Sequence, residues 1–321
     1  MEEVTPHVQS LDVKIDWFPQ PFPPNVHLIM DGGEGALIDA GFPDDESFNT
    51  RMEWLRSVPD LNLKYIVITH HHFDHSSGAA RLRDATGAKI VMHKVEEPIL
   101  KRSATEEIPS DVDVPKQDAD KEVPEGVKEW IKRTAKWRKE AAEAGADELV
   151  SDNDTLSIGG LTLRMVHSPG HTAGHLSPFL EQGPDSSPSV LFAGDNVLGM
   201  GTTVVPPPPH GDMFDYIASL KKMQALNADV MCCGHGPVVL EPNRKLQELI
   251  DHRHEREEQI LVLVGEGRDT VKALVKAIYP ELDKRIIGMA TSQVMSHLSK
   301  LEREGRAKTD GEGAEMKVSV S

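Results

Sequence analysis

Four potential metal ligands occur within six residues of this chain, in the run His-His-His-Phe-Asp-His at residues 70–75. The run directly follows a short apolar segment that predicts a buried strand, and a helical pattern comes after it. Alternate residues of an extended segment point to the same side. We therefore expect His70, His72 and Asp74 to converge at the carboxyl end of the strand, where open α/β folds place their sites, while His71 points elsewhere.

Three more candidate ligands lie later in the chain, at His171, Asp195 and His235. Each of them follows an apolar, strand-like run and has a Gly directly before it. A Gly lets the backbone turn sharply at the end of a strand. The same arrangement repeated three times predicts that these side chains reach the same edge of the sheet as the first run.

The elements around the first run can be traced from their patterns. Residues 26–30 and 36–39 predict two strands, joined by the Gly-rich turn at residues 31–35. A helix is predicted from Ser76 to about Thr86. These elements would form one half of an α/β domain with the candidate ligands at its edge.

The pattern His-x-His-x-Asp-His, followed by an isolated His, Asp and His, resembles the metallo-β-lactamase superfamily. The resemblance implies an α/β fold, a four-layered αββα sandwich with a two-metal site at one edge. It also implies seven ligands in two sets joined by a bridging carboxylate: His70, His72 and His171 in the first set, Asp74, His75 and His235 in the second, and Asp195 between them. Asp74 is the ligand whose loss we expect to abolish catalysis.

The ligand types indicate the metal independently of the resemblance. Five imidazoles and two carboxylates without a thiolate suit Zn²⁺ first, with Fe or Mn as alternatives. Two metals about 3.5–4 Å apart would share a hydroxide, because metal binding lowers the pKa of water to roughly 7. The sequence therefore predicts two Zn²⁺ per chain and a hydrolase whose nucleophile is this hydroxide.

Further residues near the ligands are expected to support them. Asp39 resembles the family's buried aspartate near the metal edge, although an ordinary Asp at a strand end is the alternative. His167 and His175 flank His171, and both are interpreted as supporting or core residues, with His175 the hydrogen-bond partner of a ligand. The sequence assigns no residue to substrate binding.

Composition restricts the classes of function. The chain has 321 residues, with 52 acidic and 35 basic side chains and a formal charge of −17, which argues against a general nucleic-acid surface. The only cysteines, Cys232 and Cys233, are adjacent, so we expect no disulfide and a reducing compartment. The sequence contains neither a signal-peptide pattern nor an apolar run of membrane-spanning length. We therefore expect a cytoplasmic protein with no membrane contact.

Residues 94–150 depart from the compact family pattern and are interpreted as an insertion. A helix is predicted over residues 127–144, with Trp130 and Trp137 at helical spacing and six Lys or Arg side chains. One hypothesis is a lid whose cations bind an anionic carrier. The alternative, which we favour because Trp at this spacing is usually packing, is an ordinary amphipathic helix.

The C-terminal part predicts a second, smaller unit. Helices over residues 244–263, 270–278 and 289–301, followed by two strands around a Gly turn, form a winged-helix-like arrangement. We divide the chain into a hydrolase domain, 1–245, and a winged-helix-like domain, 246–321. A nucleic-acid function would place the third helix in a groove. Its balanced charges favour a packing or dimerisation module, and a homodimer is left open.

This combination is similar to the β-lactamase-like-protein-2 group, through residues 194–204, 234–238 and 251–257. The group implies either a thioesterase acting on acyl carriers or a single-strand endoribonuclease. We favour hydrolysis of a thioester or ester of a small acyl substrate, because the sequence offers no clear basic track for RNA outside residues 128–139. A non-enzymatic regulator that binds nucleic acid or a partner is the third hypothesis.

Overall fold

The computed structural model describes residues 1–14, 23–103, 125–283 and 286–321. Within them, one sheet has seven strands in sequence order: β1 (Glu2–Thr5), β2 (Val8–Asp12), β3 (Asn25–Asp31), β4 (Glu34–Ile38), β5 (Asn62–Ile68), β6 (Lys89–His93) and β7 (Glu148–Val150). A second sheet has the order β12-β11-β10-β9-β8, with β8 (Thr155–Ile158), β9 (Leu161–Arg164), β10 (Phe179–Leu180), β11 (Val190–Gly194) and β12 (Val230–Cys233). The C-terminal hairpin consists of β13 (Ala307–Asp310) and β14 (Lys317–Val320).

Nine α-helices lie within the described residues. They are α1 (Asp45–Ser57), α2 (Phe73–Ser76), α3 (Ala79–Thr86), α4 (Glu96–Ser103), α5 (Glu125–Ala144), α6 (Met213–Gln224), α7 (Pro242–Gly265), α8 (Val271–Ile278) and α9 (Ile287–Arg303). A short 3-10 turn, Gly313–Glu315, lies inside the C-terminal hairpin. Of the predicted insertion at 94–150, residues 104–124 lie outside the described residues.

The two sheets pack against each other through apolar side chains. Ile29 and Val67 of the first sheet and Leu163 and Phe192 of the second belong to one fully buried cluster. The β-branched residues that dominate these strands fit a pleated, buried surface. The outer face of the first sheet is covered by α1, α3, α4 and α5, and that of the second by α6 and α7. The predicted four-layered αββα sandwich is confirmed.

The prediction of one helix over residues 76–86 is wrong in one respect, because the structure has two helices here, α2 and α3. Gly78 separates them, and its amide donates to the carbonyl of Gly41. A Cβ at position 78 would overlap the carbonyl oxygens of residues 40–42. The break therefore follows from close packing against a distant turn, which a local helical pattern does not register.

The winged-helix unit has its own core, in which Val271, Leu274, Val294 and Leu301 are buried. Helix α7 contributes to two cores, because its N-terminal half packs with the second sheet and its C-terminal half packs with α8 and α9. The predicted boundary after residue 245 falls inside this helix, and the domain division stays a prediction. None of the described helices combines the length and apolar character that crossing a membrane requires.

Buried histidines outside the candidate ligand set make stability depend on pH, and His27 and His93 are two of them. Burial lowers the pKa of His27 and of His93 from 6.5 to about 4. The unfolded chain takes up these protons near pH 6.5 and the folded chain only near pH 4. The free energy of unfolding therefore falls as the pH is lowered through this window.

We expect His93→Gln to reduce the slope of the free energy of unfolding against pH by up to about 1.4 kcal/mol per pH unit. The measurement is urea unfolding of the chelator-treated protein between about pH 4.5 and 7. His254, which is exposed on α7, provides the matched control as His254→Gln. Parallel profiles for wild type and His93→Gln would contradict the assignment.

Candidate metal centre

The candidate ligands lie on loops that leave the two sheets at one edge. The run at 70–75 follows β5, and Asp195 and His235 follow β11 and β12. Strands β11 and β12 are parallel neighbours, so their carboxyl ends meet, and the amide of Gly234 donates to the carbonyl of Gly194 at 2.8 Å. A Cβ at position 234 would overlap the Asp195 carboxylate. Glycine is therefore required there for the two loops to approach.

The first set of donors contains three histidines that meet at short range. His72 Nδ1 lies 2.9 Å from His70 Nε2 and 3.0 Å from His171 Nε2. Asp195 Oδ2 lies 4.0 Å from His70 Nε2 and 3.8 Å from His171 Nε2. The four donor atoms lie within 4.8 Å of one another.

The second set contains Asp74, His75 and His235. The Nε2 atoms of His75 and His235 are 3.2 Å apart, and Asp74 Oδ2 lies 3.5 Å from His235 Nε2. Asp195 Oδ1 lies 3.4 Å from His75 and 3.5 Å from His235. One carboxylate oxygen of Asp195 therefore faces each set. The structure brings together all seven residues that the sequence singled out.

These distances fit a divalent cation. Zn–N bonds of about 2.0–2.1 Å in a tetrahedron place two nitrogen ligands about 3.3–3.4 Å apart. The closest imidazole nitrogens here are 2.9–3.2 Å apart. Asp195 Oδ1 is buried and, among the described residues, no donor approaches it with hydrogen-bond geometry, the nearest imidazole nitrogens being those of His75 and His235 at 3.4 and 3.5 Å. Converging nitrogens and a carboxylate oxygen without a donor are what a metal site requires of its ligands.

The two sets differ in charge. Burial holds the pKa of His70 and of His72 well below 6.5, so these imidazoles are neutral and their lone pairs are available to a metal. Burial also acts on His235, but the carboxylates of Asp195 and Asp74 outweigh it and raise the pKa of His235 to about 9. Without a metal, the second set therefore carries a proton where a cation would sit.

Asp39 fixes the orientation of His75. Its carboxylate accepts hydrogen bonds from His75 Nδ1 at 2.8 Å and from the amide of Thr69 at 2.8 Å. With Nδ1 occupied as a donor, His75 presents Nε2 to the cluster. Asp39 is buried and adopts a left-handed backbone conformation with φ of 62°. These contacts suit the supporting role predicted from the sequence, which stays a prediction.

His175 contacts the backbone of Asp195. Its Nε2 accepts a hydrogen bond from the Asp195 amide at 3.2 Å, so the ring proton is on Nδ1, which donates to Ser168 Oγ at 3.0 Å. Burial lowers the pKa of His175 to about 3 and keeps the ring neutral. His167 instead stacks on His93, with ring centroids 4.0 Å apart.

Glu96 supports the site but was not identified from the sequence. It is fully buried and accepts hydrogen bonds from the His71 amide at 2.8 Å, His71 Nδ1 at 2.6 Å and the Gly174 amide at 2.8 Å. It joins the loop of the first run to the loop that carries His171. As predicted, His71 points away from the donor cluster. No local pattern distinguishes Glu96 from the neighbouring Glu97.

Helix α5 packs against the element that carries Asp74. Trp130 contacts Phe73 of α2 edge-on at 6.2 Å between centroids, and Trp137 contacts Phe42 at 5.7 Å. Both Trp side chains are buried. These contacts are the ones that the packing interpretation of this helix predicts.

Comparison with known proteins identifies the family. A sequence profile of the metallo-beta-lactamase superfamily matches residues 19–235, and a profile of the beta-lactamase associated winged helix domain matches residues 270–315. The chain belongs to the metallo-beta-lactamase superfamily. Members of this superfamily are generally metal-dependent hydrolases, and the two donor clusters agree with a divalent metal ion.

Individual relatives match most of the chain. The beta-lactamase-like protein 2 homolog of Caenorhabditis elegans is 29% identical, over 88% of this chain and 79% of the relative. An atrochrysone carboxyl ACP thioesterase of Aspergillus fumigatus is 26% identical, over 80% and 69%. The crystal structure of a metallo-beta-lactamase family protein from Thermus thermophilus superposes with a TM-score of 0.71 at 24% identity, covering 98% of this chain and 99% of the other. The predicted resemblance to the β-lactamase-like-protein-2 group is confirmed.

We expect Glu96→Ala to lower the free energy of unfolding by about 1–3 kcal/mol, because it leaves buried donors of His71 and Gly174 without an acceptor. Urea unfolding of the chelator-treated protein measures the change. Glu97→Ala is the matched control, since Glu97 is only partly buried and forms an i,i+4 ion pair with the exposed Lys101, a contact that contributes about 0.3–0.5 kcal/mol. Equal losses in the two variants would contradict the role of Glu96.

Proposed function

We propose that this protein is a dinuclear zinc hydrolase that cleaves a thioester or ester of a small acyl substrate, carried on an anionic group. The observation that supports it most directly is the position of Asp195, whose two carboxylate oxygens lie 3.4–4.0 Å from imidazole nitrogens of two different donor sets. A single-metal site would not need a carboxylate shared in this way. When bound, a zinc pair supplies a hydroxide nucleophile at neutral pH and polarises the substrate carbonyl.

The donor chemistry supports zinc held by imidazoles and carboxylates. Cys233 precedes His235 by two residues, but burial raises the pKa of its thiol to about 12. Cys232 is buried as well, and both are free thiols. Neither supplies a thiolate at neutral pH, so His70, His72 and His171 with Asp195, and Asp74 with His75 and His235, form the proposed ligand sets. Free thiols side by side also suit the cytoplasmic location that we propose.

The chain's own residues would prepare the site in two ways. Asp39 and His175 fix the orientation of His75 and of the Asp195 backbone, which lowers the cost of arranging ligands when a metal binds. Ligands Asp74 and His235 lie on different loops, so the cluster depends on the packing of both sheets. Such preorganisation allows the site to act without a Ser or Cys nucleophile.

Thioester or ester cleavage is favoured over RNA cleavage by the charges around the winged-helix unit. Lys300 on α9 pairs with Glu257 at 2.9 Å and with Glu304 at 2.7 Å. Arg303 lies 3.5 Å from Asp212 and 3.7 Å from Asp215. Cations already paired within the protein are poorly placed to neutralise phosphates. The thioesterase name of the Aspergillus fumigatus relative agrees with an acyl substrate.

The other two hypotheses are weaker. An endoribonuclease would use the same ligand sets on a phosphate, but the chain carries a formal charge of −17. A purely regulatory role would not require seven donor atoms in two convergent sets. A homodimer stays a hypothesis that size-exclusion chromatography with light scattering would decide.

We expect purified protein to contain about two equivalents of zinc per chain and to hydrolyse an acyl-CoA or a p-nitrophenyl ester in a chelator-sensitive manner. Metal analysis is combined with assays on acyl-CoA, p-nitrophenyl ester, a β-lactam and single-stranded RNA, each with and without chelator. A chelator-treated sample reloaded with zinc is the control. Chelator-sensitive cleavage of RNA alone would replace the proposed substrate class with the endoribonuclease.

We expect Asp74→Ala to abolish hydrolysis and to reduce bound zinc from about two equivalents to about one, because the second set loses its own carboxylate. Asp45→Ala is the matched control, since Asp45 is an exposed carboxylate on α1 that pairs with Arg81. Circular dichroism checks that both variants fold. Wild-type turnover in Asp74→Ala would refute the two-metal mechanism.

A further inference from the structure

We propose that Arg253, on helix α7, is a positioning residue for the candidate ligand His171 and acts through the backbone of residues 203–205. The inference rests on the proposed function, because it assigns His171 to the first metal. It gives the C-terminal unit a role in the hydrolytic site. Neither the motif pattern nor the family comparison assigns Arg253 to that site.

The contact that orients His171 is made by a peptide carbonyl. His171 Nδ1 donates to the Val204 carbonyl oxygen at 2.8 Å. Because Nδ1 carries the proton, Nε2 keeps its lone pair and faces His72 Nδ1 at 3.0 Å. The position of the Val204 carbonyl therefore sets both the tautomer and the direction of the ring.

The peptide groups on both sides of Val204 are held by the C-terminal helices. The Arg253 guanidinium donates to the Thr203 carbonyl at 2.8 Å, and the Val205 amide donates to Gln293 Oε1 at 3.1 Å. The hydroxyl of Ser296 donates to the carbonyl of Pro206, two residues after Val204, at 3.3 Å. Helices α7 and α9 thus form the outer support of the segment whose inner side contacts His171.

Arg253 acts through a hydrogen bond and a ring contact rather than through an ion pair. Its side chain is buried, and its guanidinium lies 5.2 Å from the centre of the Tyr216 ring. Within the described ranges, no carboxylate forms an ion pair with it at 4 Å or less. Burying a guanidinium without a counter-charge costs stability. A contribution to the site explains why a cation occupies this position.

A second contact leads from Arg253 to the bridging carboxylate. The hydroxyl of Tyr216 donates to the Asn196 carbonyl at 2.9 Å, one residue after Asp195. Arg253 therefore packs on a ring that supports the Asp195 loop and also bonds the segment that supports His171. One side chain of α7 therefore contacts both the segment that orients the His171 ring and the Tyr216 ring that supports the loop of Asp195.

The test compares Arg253→Met and Arg253→Lys with two controls. Arg256→Met changes an Arg three residues later on α7, whose guanidinium lies over Tyr279 and does not contact residues 203–205. Lys300→Met removes a buried ion pair with Glu257 and destabilises the same unit without touching that segment. Stepwise zinc affinities are measured by competition with a chromophoric chelator, and the Co²⁺-substituted proteins are compared by absorption spectroscopy.

We expect Arg253→Met to weaken one zinc equivalent by about 10–100-fold, to leave the other within a few-fold, and to alter the Co²⁺ spectrum. Arg253→Lys, which keeps one donor for the Thr203 carbonyl, should recover most of the affinity. Wild-type affinities and spectrum in Arg253→Met would overturn the proposal. Losses of the same size in Arg256→Met or Lys300→Met would also overturn it, because the effect would then be general destabilisation.

A metal-free measurement separates this proposal from the proposed function. In chelator-treated protein, the His171 Nδ1 proton should give a protected NMR resonance, assigned by its absence in His171→Gln. We expect this resonance in wild type and Arg256→Met and its loss or broadening in Arg253→Met. Wild-type protein that binds no zinc would refute the proposed function, whereas an unchanged resonance in Arg253→Met would refute the positioning role alone.

Discussion

The buried carboxylate of Asp195 is the main electrostatic constraint on the candidate site. It is buried, and its two oxygens face imidazoles from loops that are far apart in sequence. Burying a carboxylate is costly unless cations or hydrogen-bond donors surround it. The partners here are imidazolium groups in the second set, which hold the pKa of Asp195 well below 3.8 against the opposing effect of burial. A bound divalent metal would take over this compensation, which would link metal binding to folding.

The fold meets this constraint by supporting each ligand loop from behind. Asp39 holds His75, His175 holds the amide of Asp195, and Glu96 joins the loops of His71 and Gly174. None of these supports belongs to either donor set. The ligands therefore keep their lone pairs directed inward, while buried hydrogen bonds on the outside fix their orientation. The sandwich brings the ligand loops together, and the hydrogen bonds of Asp39, His175 and Glu96 orient the donor groups on them.

The ligands that can be predicted from the amino-acid sequence are those marked by a local sequence pattern. A strand, a Gly and then a ligand can be recognised within a few residues, as at Gly194 and Asp195. The αββα order was implied by the resemblance of these motifs to the family. Glu96 and Arg253 have no such pattern, because their partners lie 78 and 50 residues away. The break at Gly78 was missed for the same reason, since it depends on the packing of a distant turn. Contacts between remote segments are set by tertiary packing, which sequence periodicity does not encode.

The C-terminal helices pack against the rest of the chain and contact the segment beside the candidate metal edge. Helix α7 belongs to both cores, so the two units share a rigid element rather than a linker. Helix α9, which a nucleic-acid function would place in a groove, buries Gln293, Ser296 and Lys300 against the rest of the chain. A recognition helix needs an exposed face for base edges. Through Arg253 and Gln293, substitutions in these helices would act on the segment at residues 203–206, and through it on the geometry of the metal edge.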